Sequence, residues 1–165
     1  SMMEITSLIE ESPSDPFFYE LKGQILFENG KTGEALSAYQ KAVKLLPDSA
    51  LILADLGKVE IAQDIGSSTK PAIAHLEKSI NIDNSNAEAW RLLATAYGHS
   101  NNLPMSYQAL AEEALLQGET KTALRMANQA IASLKPDSPA YRRSQDIKNK
   151  AEQMRKKEDD ESSPF

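Results

Sequence analysis

Few residues in this chain have the type and spacing that chemistry needs. There are two histidines, His75 and His99, which lie 24 positions apart, and neither sits in an HExxH pattern. His75 falls mid-helix in Ile73-Ala74-His75-Leu76-Glu77 and reads as an exposed or half-buried helix residue. His99 ends a helix at Gly98-His99-Ser100, where a charged imidazole complements the helix dipole without any metal. Cysteine is absent, which removes thiol nucleophiles, disulfides and Cys-based zinc sites. The glycines are scattered singly, so no phosphate-cradling loop forms, and there is no GxSxG elbow. Glu10-Glu11 and Glu112-Glu113 are paired carboxylates that read as solvated helix faces. The expectation is a chain that is not an enzyme and holds neither metal nor cofactor.

Composition narrows the class further. The chain has 165 residues, enough for one globular domain or a short solenoid, and 41% hydrophobic residues can bury a core. Of the net charge of −6, Glu158, Asp159, Asp160 and Glu161 contribute four negatives, so the body is close to neutral. A nucleic-acid surface needs a basic stripe, and none is present. The run Arg155-Lys156-Lys157 reads as a fraying helix end. No apolar run is long enough to span a bilayer. The start, Ser1-Met2-Met3-Glu4, lacks the features of a signal peptide. Ser1 before a Met reads as a cloning remnant, which predicts a piece of a longer protein.

The elements behind these residues repeat. Pro13 and Pro47, Tyr19 and Leu53, and Tyr107 and Tyr141 are each 34 positions apart. A 34-residue period with two helices per unit is the mark of the tetratricopeptide repeat (TPR). The first full repeat, Pro16 to about Ser49, carries Tyr19, Gly23, Leu26, Ala35, Tyr39, Ala42 and Pro47, and resembles the TPR pattern closely. Gly23 and Ala35 are expected where the two helices cross, with Tyr19 and Leu26 beside them and Tyr39 and Ala42 buried. Asn29-Gly30 ends the first helix, Pro47 stops the second, and Asp48-Ser49 caps the next. Lys22 stands where the family has Leu, and Leu21 is expected to take its packing role.

The second repeat reads Leu53, Leu56, Gly57, then Ala72, Leu76 and Ser79, with three residues inserted around Ile65-Gly66-Ser67-Ser68-Thr69. Pro71 opens its second helix and Asp83-Asn84 replaces the terminal Pro. The third repeat carries Trp90, Leu93, Ala94 and Tyr97, with a turn at Asn101-Asn102 and a helix from Pro104 to Gln117. Two registers compete in that helix. Counting from Ala94 puts small Ser106 at the crossing. Counting back from Ala123, Ala127 and Ala130 makes Tyr107, Leu110 and Ala111 the first helix of a fourth repeat. One helix can serve both. Thr120 to Leu134 follows Gly118, and a capping helix from Ser138 to about Lys157 turns Tyr141 inward and Arg142, Arg143, Lys148 and Lys150 to water. Ile5, Leu8 and Ile9 form the stripe of a helix with no partner ahead of it, and are expected to be poorly covered.

The fold class is therefore all-α, a TPR-type right-handed α-solenoid of about three to four irregular repeats. Residues 1–13 are the second helix of a truncated preceding repeat, 14–157 the array with its capping helix, and 158–165 a disordered acidic tail. TPR stacks take a protein or peptide ligand in the concave groove lined by their first helices. The groove positions correspond to Glu20, Gln24, Phe27 and Glu28, to Lys58 and Ile61, and to Glu88, Arg91 and Thr95. Only Lys58 and Arg91 are basic among them, and no Asn matches, so a clamp for C-terminal carboxylates is not expected. Charge reversal at Lys58 and Arg91 is expected to weaken partner binding without lowering stability.

The stretch from Pro16 to Gly30, PFFYELKGQILFENG, resembles the C-terminal repeat region of bacterial HExxH zinc metallopeptidases that carry a TPR tail. The segments Ala74-His75-Leu76-Glu77, Ala89 to Gly98, Leu110 to Gly118 and Gln145-Asp146-Ile147 are similar to the same family. The resemblance implies a periplasmic or membrane-associated parent in Gram-negative bacteria, concerned with envelope quality control. Its TPR part would pack on its own peptidase domain and engage substrates or assembly partners. Zinc would belong to that other part, since no HExxH exists here. A free-standing TPR adaptor, periplasmic or cytoplasmic, is the alternative.

Overall fold

The computed structural model describes residues 2–63 and 69–162. Among the described residues the secondary structure is nine α-helices: α1 (Met2–Glu11), α2 (Pro16–Glu28), α3 (Thr32–Leu45), α4 (Ala50–Gln63), α5 (Lys70–Ile82), α6 (Ala87–His99), α7 (Leu103–Leu116), α8 (Thr120–Ser133) and α9 (Pro139–Ser162). They form two compact units, Ser1–Asn84 and Ser85–Phe165.

In the first unit α2 pairs with α3 and α4 with α5, while α3 packs on α4 and α1 on α2. Local sequence sets each boundary. Asp15 caps α2 by accepting the Phe17 N–H at 2.9 Å, and Pro16 occupies the first turn. At the other end Gly30 takes φ 74°, and the Lys31 and Gly30 N–H groups donate to the carbonyls of Leu26 and Phe27 at 2.9 Å. Ser49 Oγ accepts the Ile52 N–H at 3.4 Å and so starts α4. Thr69 is the N-cap of α5. The rest of the expected insertion, Ile65 to Ser68, lies outside the described residues.

The helix crossings explain the glycines. A Cβ placed on Gly23 would lie 2.7 Å from the Tyr39 ring, and one on Gly57 would lie 2.6 Å from Leu76 Cγ. Both pairs are the same contact one repeat apart. Leu26, Ala35, Ala38, Tyr39, Ala42, Ile52, Leu56 and Val59 form the core around the first crossing. Ser79, at the place of Ala42, is buried and donates to the Ala50 carbonyl at 2.7 Å. Two expectations fail here. Leu21 is 41% exposed and does not replace the family's Leu; the Lys22 side chain is itself half-buried. Ile5 is buried because α1 lies on α2, leaving Leu8 as the exposed part of the stripe.

In the second unit α7 packs against α6, α8 and α9. Its two ends belong to different helix types. It starts after Asn102 at φ −92°, ψ 68°, close to the entries at Lys31 (−88°, 60°) and Glu119 (−81°, 70°), which open second helices. It ends at Gly118 with φ 73°, as the first helices α2 and α6 end at Gly30 and at Asn101 with φ 59°. Its two faces agree. Ser106 Oγ donates to the Ala94 carbonyl at 2.8 Å on the α6 side. Ala111 on the α8 side is fully buried, as are Ala123, Ala127 and Ala130. The two competing registers therefore both hold.

The last helix departs from expectation in two ways. It continues to Ser162, so residues 158–162 are helical rather than a disordered tail, and Glu158 accepts a hydrogen bond from Thr120 Oγ1 at 3.2 Å. Residues 163–165 lie outside the described residues. Arg143, expected to face only water, places its guanidinium 4.9 Å from the Trp90 ring centroid and donates to Glu112 Oε1 at 2.6 Å. The reason is that α9 covers α7 and reaches α6 through this long side chain, which keeps its head partly wet.

Candidate functional site

The first unit contains a groove of about 390 Å³ floored by the junction of α2, α3 and α4. Glu20, Gln24, Phe27 and Glu28 come from α2, Tyr39 from α3, and Leu51, Asp55, Lys58 and Val59 from α4. Helical spacing explains the α2 set: positions 20, 24, 27 and 28 share one face, while Gly23 and Leu26 turn to α3 and the core. Five of the nine groove residues expected from sequence are thus brought together, Glu20, Gln24, Phe27, Glu28 and Lys58. Ile61 is half-buried on α4 outside this lining.

Four lining residues were not anticipated. Tyr39 is a core residue, 4% exposed, yet its edge reaches the groove. Leu51, Asp55 and Val59 recur every four residues along α4, so the spacing that put Lys58 in the groove also carried their signal. Leu51 is 57% exposed, as Leu21, Leu103 and Leu116 also are in part, and of these it is the one that lines the groove.

The electrostatics of the groove are negative. Glu20, Glu28 and Asp55 line it together with one basic residue, Lys58. Burial pushes the Glu20 carboxyl above the ordinary glutamate range. Burial, then the charges of Asp55, Glu20 and Glu28, push the Tyr39 phenol far above its usual value, so Tyr39 stays a neutral hydroxyl. Gln24 Nε2 donates to Glu28 Oε1 at 3.0 Å. Such an arrangement can bind and orient a ligand; it contains no nucleophile paired with a base.

The other expected groove residues lie in the second unit. Glu88 and Thr95 are exposed, and the Thr95 hydroxyl donates to its own helix at the Arg91 carbonyl. Arg91 is structurally committed. Its Nε and Nη2 donate to Glu113 Oε1 at 2.6 and 2.5 Å, and Gln117 Nε2 adds a bond to the same oxygen at 3.3 Å. Glu113 is 5% exposed and occupies the place filled by Ala42 and Ser79 in the first unit. Glu112, with its side chain 15% exposed, is held by Arg143. The pair Glu112-Glu113 is therefore not a solvated face. Reversal of charge at Arg91 would strand a buried carboxylate, so the expectation that it leaves stability unchanged is corrected.

His75 Nδ1 lies 2.9 Å from Glu60 Oε2, a pair between α4 and α5. Among the described residues no three His, Cys, Asp or Glu side chains are placed to share a metal ion. Among the same residues no helix is long and apolar enough to cross a membrane.

Residues 23–63 match a family model described as TPR repeat, and the fold of the chain is that of a TPR-type α-solenoid. The crystal structure of MamA is similar, with a TM-score of 0.67 and 17% identity over 96% of this chain and 89% of that one. A MamA fragment from Desulfovibrio magneticus RS-1 gives a TM-score of 0.67 at 18% identity, covering 96% and 85%. YrrB, described as a TPR protein with an unusual peptide-binding site, gives 0.64 at 18% identity, covering 95% and 91%. No curated protein sequence matches the chain significantly.

Proposed function

We propose that the chain is a TPR interaction module that holds a peptide or protein segment in the groove of α2, α3 and α4, without catalysis and without a cofactor of its own. The observation that carries this reading is Leu51. An exposed leucine and the half-buried Phe27 both line a groove that also carries charged and polar side chains, so the surface offers apolar contact and hydrogen bonds together. YrrB, a TPR protein with an unusual peptide-binding site, is similar in fold and lends support by analogy.

Leu51→Ser tests it. The side chain is already exposed, so the melting temperature is expected to hold. Partner binding, measured by calorimetry on the protein recovered with this module, is expected to weaken about five- to tenfold. Unchanged affinity would remove the groove from the interface.

The finer assignment rests on the sequence resemblance. On that ground the module is the non-catalytic C-terminal region of a periplasmic zinc metallopeptidase and works beside its own peptidase domain. A free-standing TPR scaffold, periplasmic or cytoplasmic, fits the same fold. The reading frame upstream of Met2 decides between them: an HExxH helix there supports the first, and its absence removes it.

A further inference from the structure

We propose that the groove of α2, α3 and α4 selects a cationic peptide, with an arginine or lysine stem along its apolar lining and the charged head among Glu20, Asp55 and the Tyr39 hydroxyl. This rests on the reading of that groove as the partner site.

Three observations converge. The lining carries three carboxylates against Lys58. The Tyr39 ring is held against Gly23 in the core, so its position is fixed. Its hydroxyl takes part in no hydrogen bond among the described residues and opens on the cavity, although the residue as a whole is only 4% exposed. A hydroxyl that stays neutral can accept a bond from an ammonium or guanidinium group. Glu20, half-buried and forming no ion pair among the described residues, supplies charge that burial makes costly and a cation would offset. The apolar walls match the other half of such a ligand. Lysine and arginine stems lie along apolar surface while their heads reach polar groups. An anionic peptide would meet the same carboxylates as repulsion.

The test uses the whole chain, labelled with nitrogen-15, and an array of synthetic peptides with varied apolar residues. Each peptide is made in three forms, with arginine, with its neutral isostere citrulline, and with glutamate at the central position. Amide shifts and anisotropy titrations read the site and the affinity. Arginine peptides are expected to bind about tenfold more tightly than their citrulline forms, with shifts at Glu20, Gln24, Phe27 and Lys58. Glu20→Gln is expected to remove most of that preference. Tyr39→Phe, which keeps the ring against Gly23, is expected to weaken the arginine form about fivefold. Lys58→Glu is expected to strengthen it, the reverse of the weakening expected from sequence, because Lys58 lies among Glu20, Glu28 and Asp55 and would repel the same cation. Equal binding of arginine and citrulline forms, or a preference for glutamate, with shifts still in the groove, overturns the cationic assignment and leaves the groove a peptide site. Shifts elsewhere, or no binding by any form, overturn both.

Discussion

Gly23 and Tyr39 touch so closely that a single Cβ on the glycine would sit 2.7 Å from the ring. The contact joins fold to site. It lets α2 and α3 cross at short range, and it fixes the tyrosine whose edge borders the groove. Gly23→Ala is therefore expected to destabilise the protein by about 1–3 kcal/mol through overpacking, outweighing the better helix propensity of alanine. Gly33→Ala is the control. Its new Cβ would meet only Gln63 Nε2 at 3.7 Å, so that variant should be neutral or slightly more stable. Urea midpoints for the two variants should move in opposite directions or differ clearly.

Arg91 and Glu113 are expected to behave as a unit. Arg91→Ala should cost about 1–2 kcal/mol, discounted because the arginine side chain is 65% exposed. Adding Glu113→Ala should restore most of the loss, since alanine fills the equivalent place at Ala42. A double-mutant cycle by urea denaturation measures the coupling. Simple additivity of the two losses would mean that the pair is not coupled.

Trp90 is the sole tryptophan and is 3% exposed. Its emission should be blue-shifted and resist acrylamide quenching. Trp90→Ala should cost about 3–5 kcal/mol, as for other large buried aromatics. Arg143→Ala should cost about 1–2 kcal/mol from the lost stacking and the unpaired Glu112 together, discounted because the arginine is exposed. Emission of a solvated indole would place Trp90 on the surface and break the register of α6.

Much of this was legible in the sequence. The 34-residue period located the helices, and Asn29-Gly30, Asn101-Asn102 and Gly118 marked the ends of α2, α6 and α7 through their tolerance of the left-handed region. The α2 face of the groove followed from helical spacing. What sequence missed clusters on α7 and α9. A helix covered on several sides shows no single apolar stripe, so buried Glu113 looked like surface charge. Its partner Arg91 lies on α6 and the partner of Glu112 on α9, and pairing across helices leaves no local spacing to read. Tyr39 was assigned one role because a sequence pattern cannot show that a core residue also has an edge on a cavity.

The Glu20 carboxyl gives a pH test. Its folded value is raised by burial, so its contribution to stability is fully present below the unfolded value and is lost as pH rises through the folded value. At neutral pH the ionised group is a cost. Glu20→Gln should then be at least as stable as the wild type at neutral pH, and the difference should close as pH falls through the carboxylate range. Urea titrations at neutral and acidic pH measure it. Loss of stability in the variant at neutral pH would show that Glu20 already has a satisfying partner.

The central claim is that a partner lies in the groove of α2, α3 and α4. Photo-cross-linking in the native host addresses it most directly, with a benzoylphenylalanine in place of Gln24 in the groove or of Gln40, an exposed residue of α3 outside its lining. The account predicts a discrete cross-linked partner from position 24 and none from position 40. Cross-links from position 40 alone would contradict it.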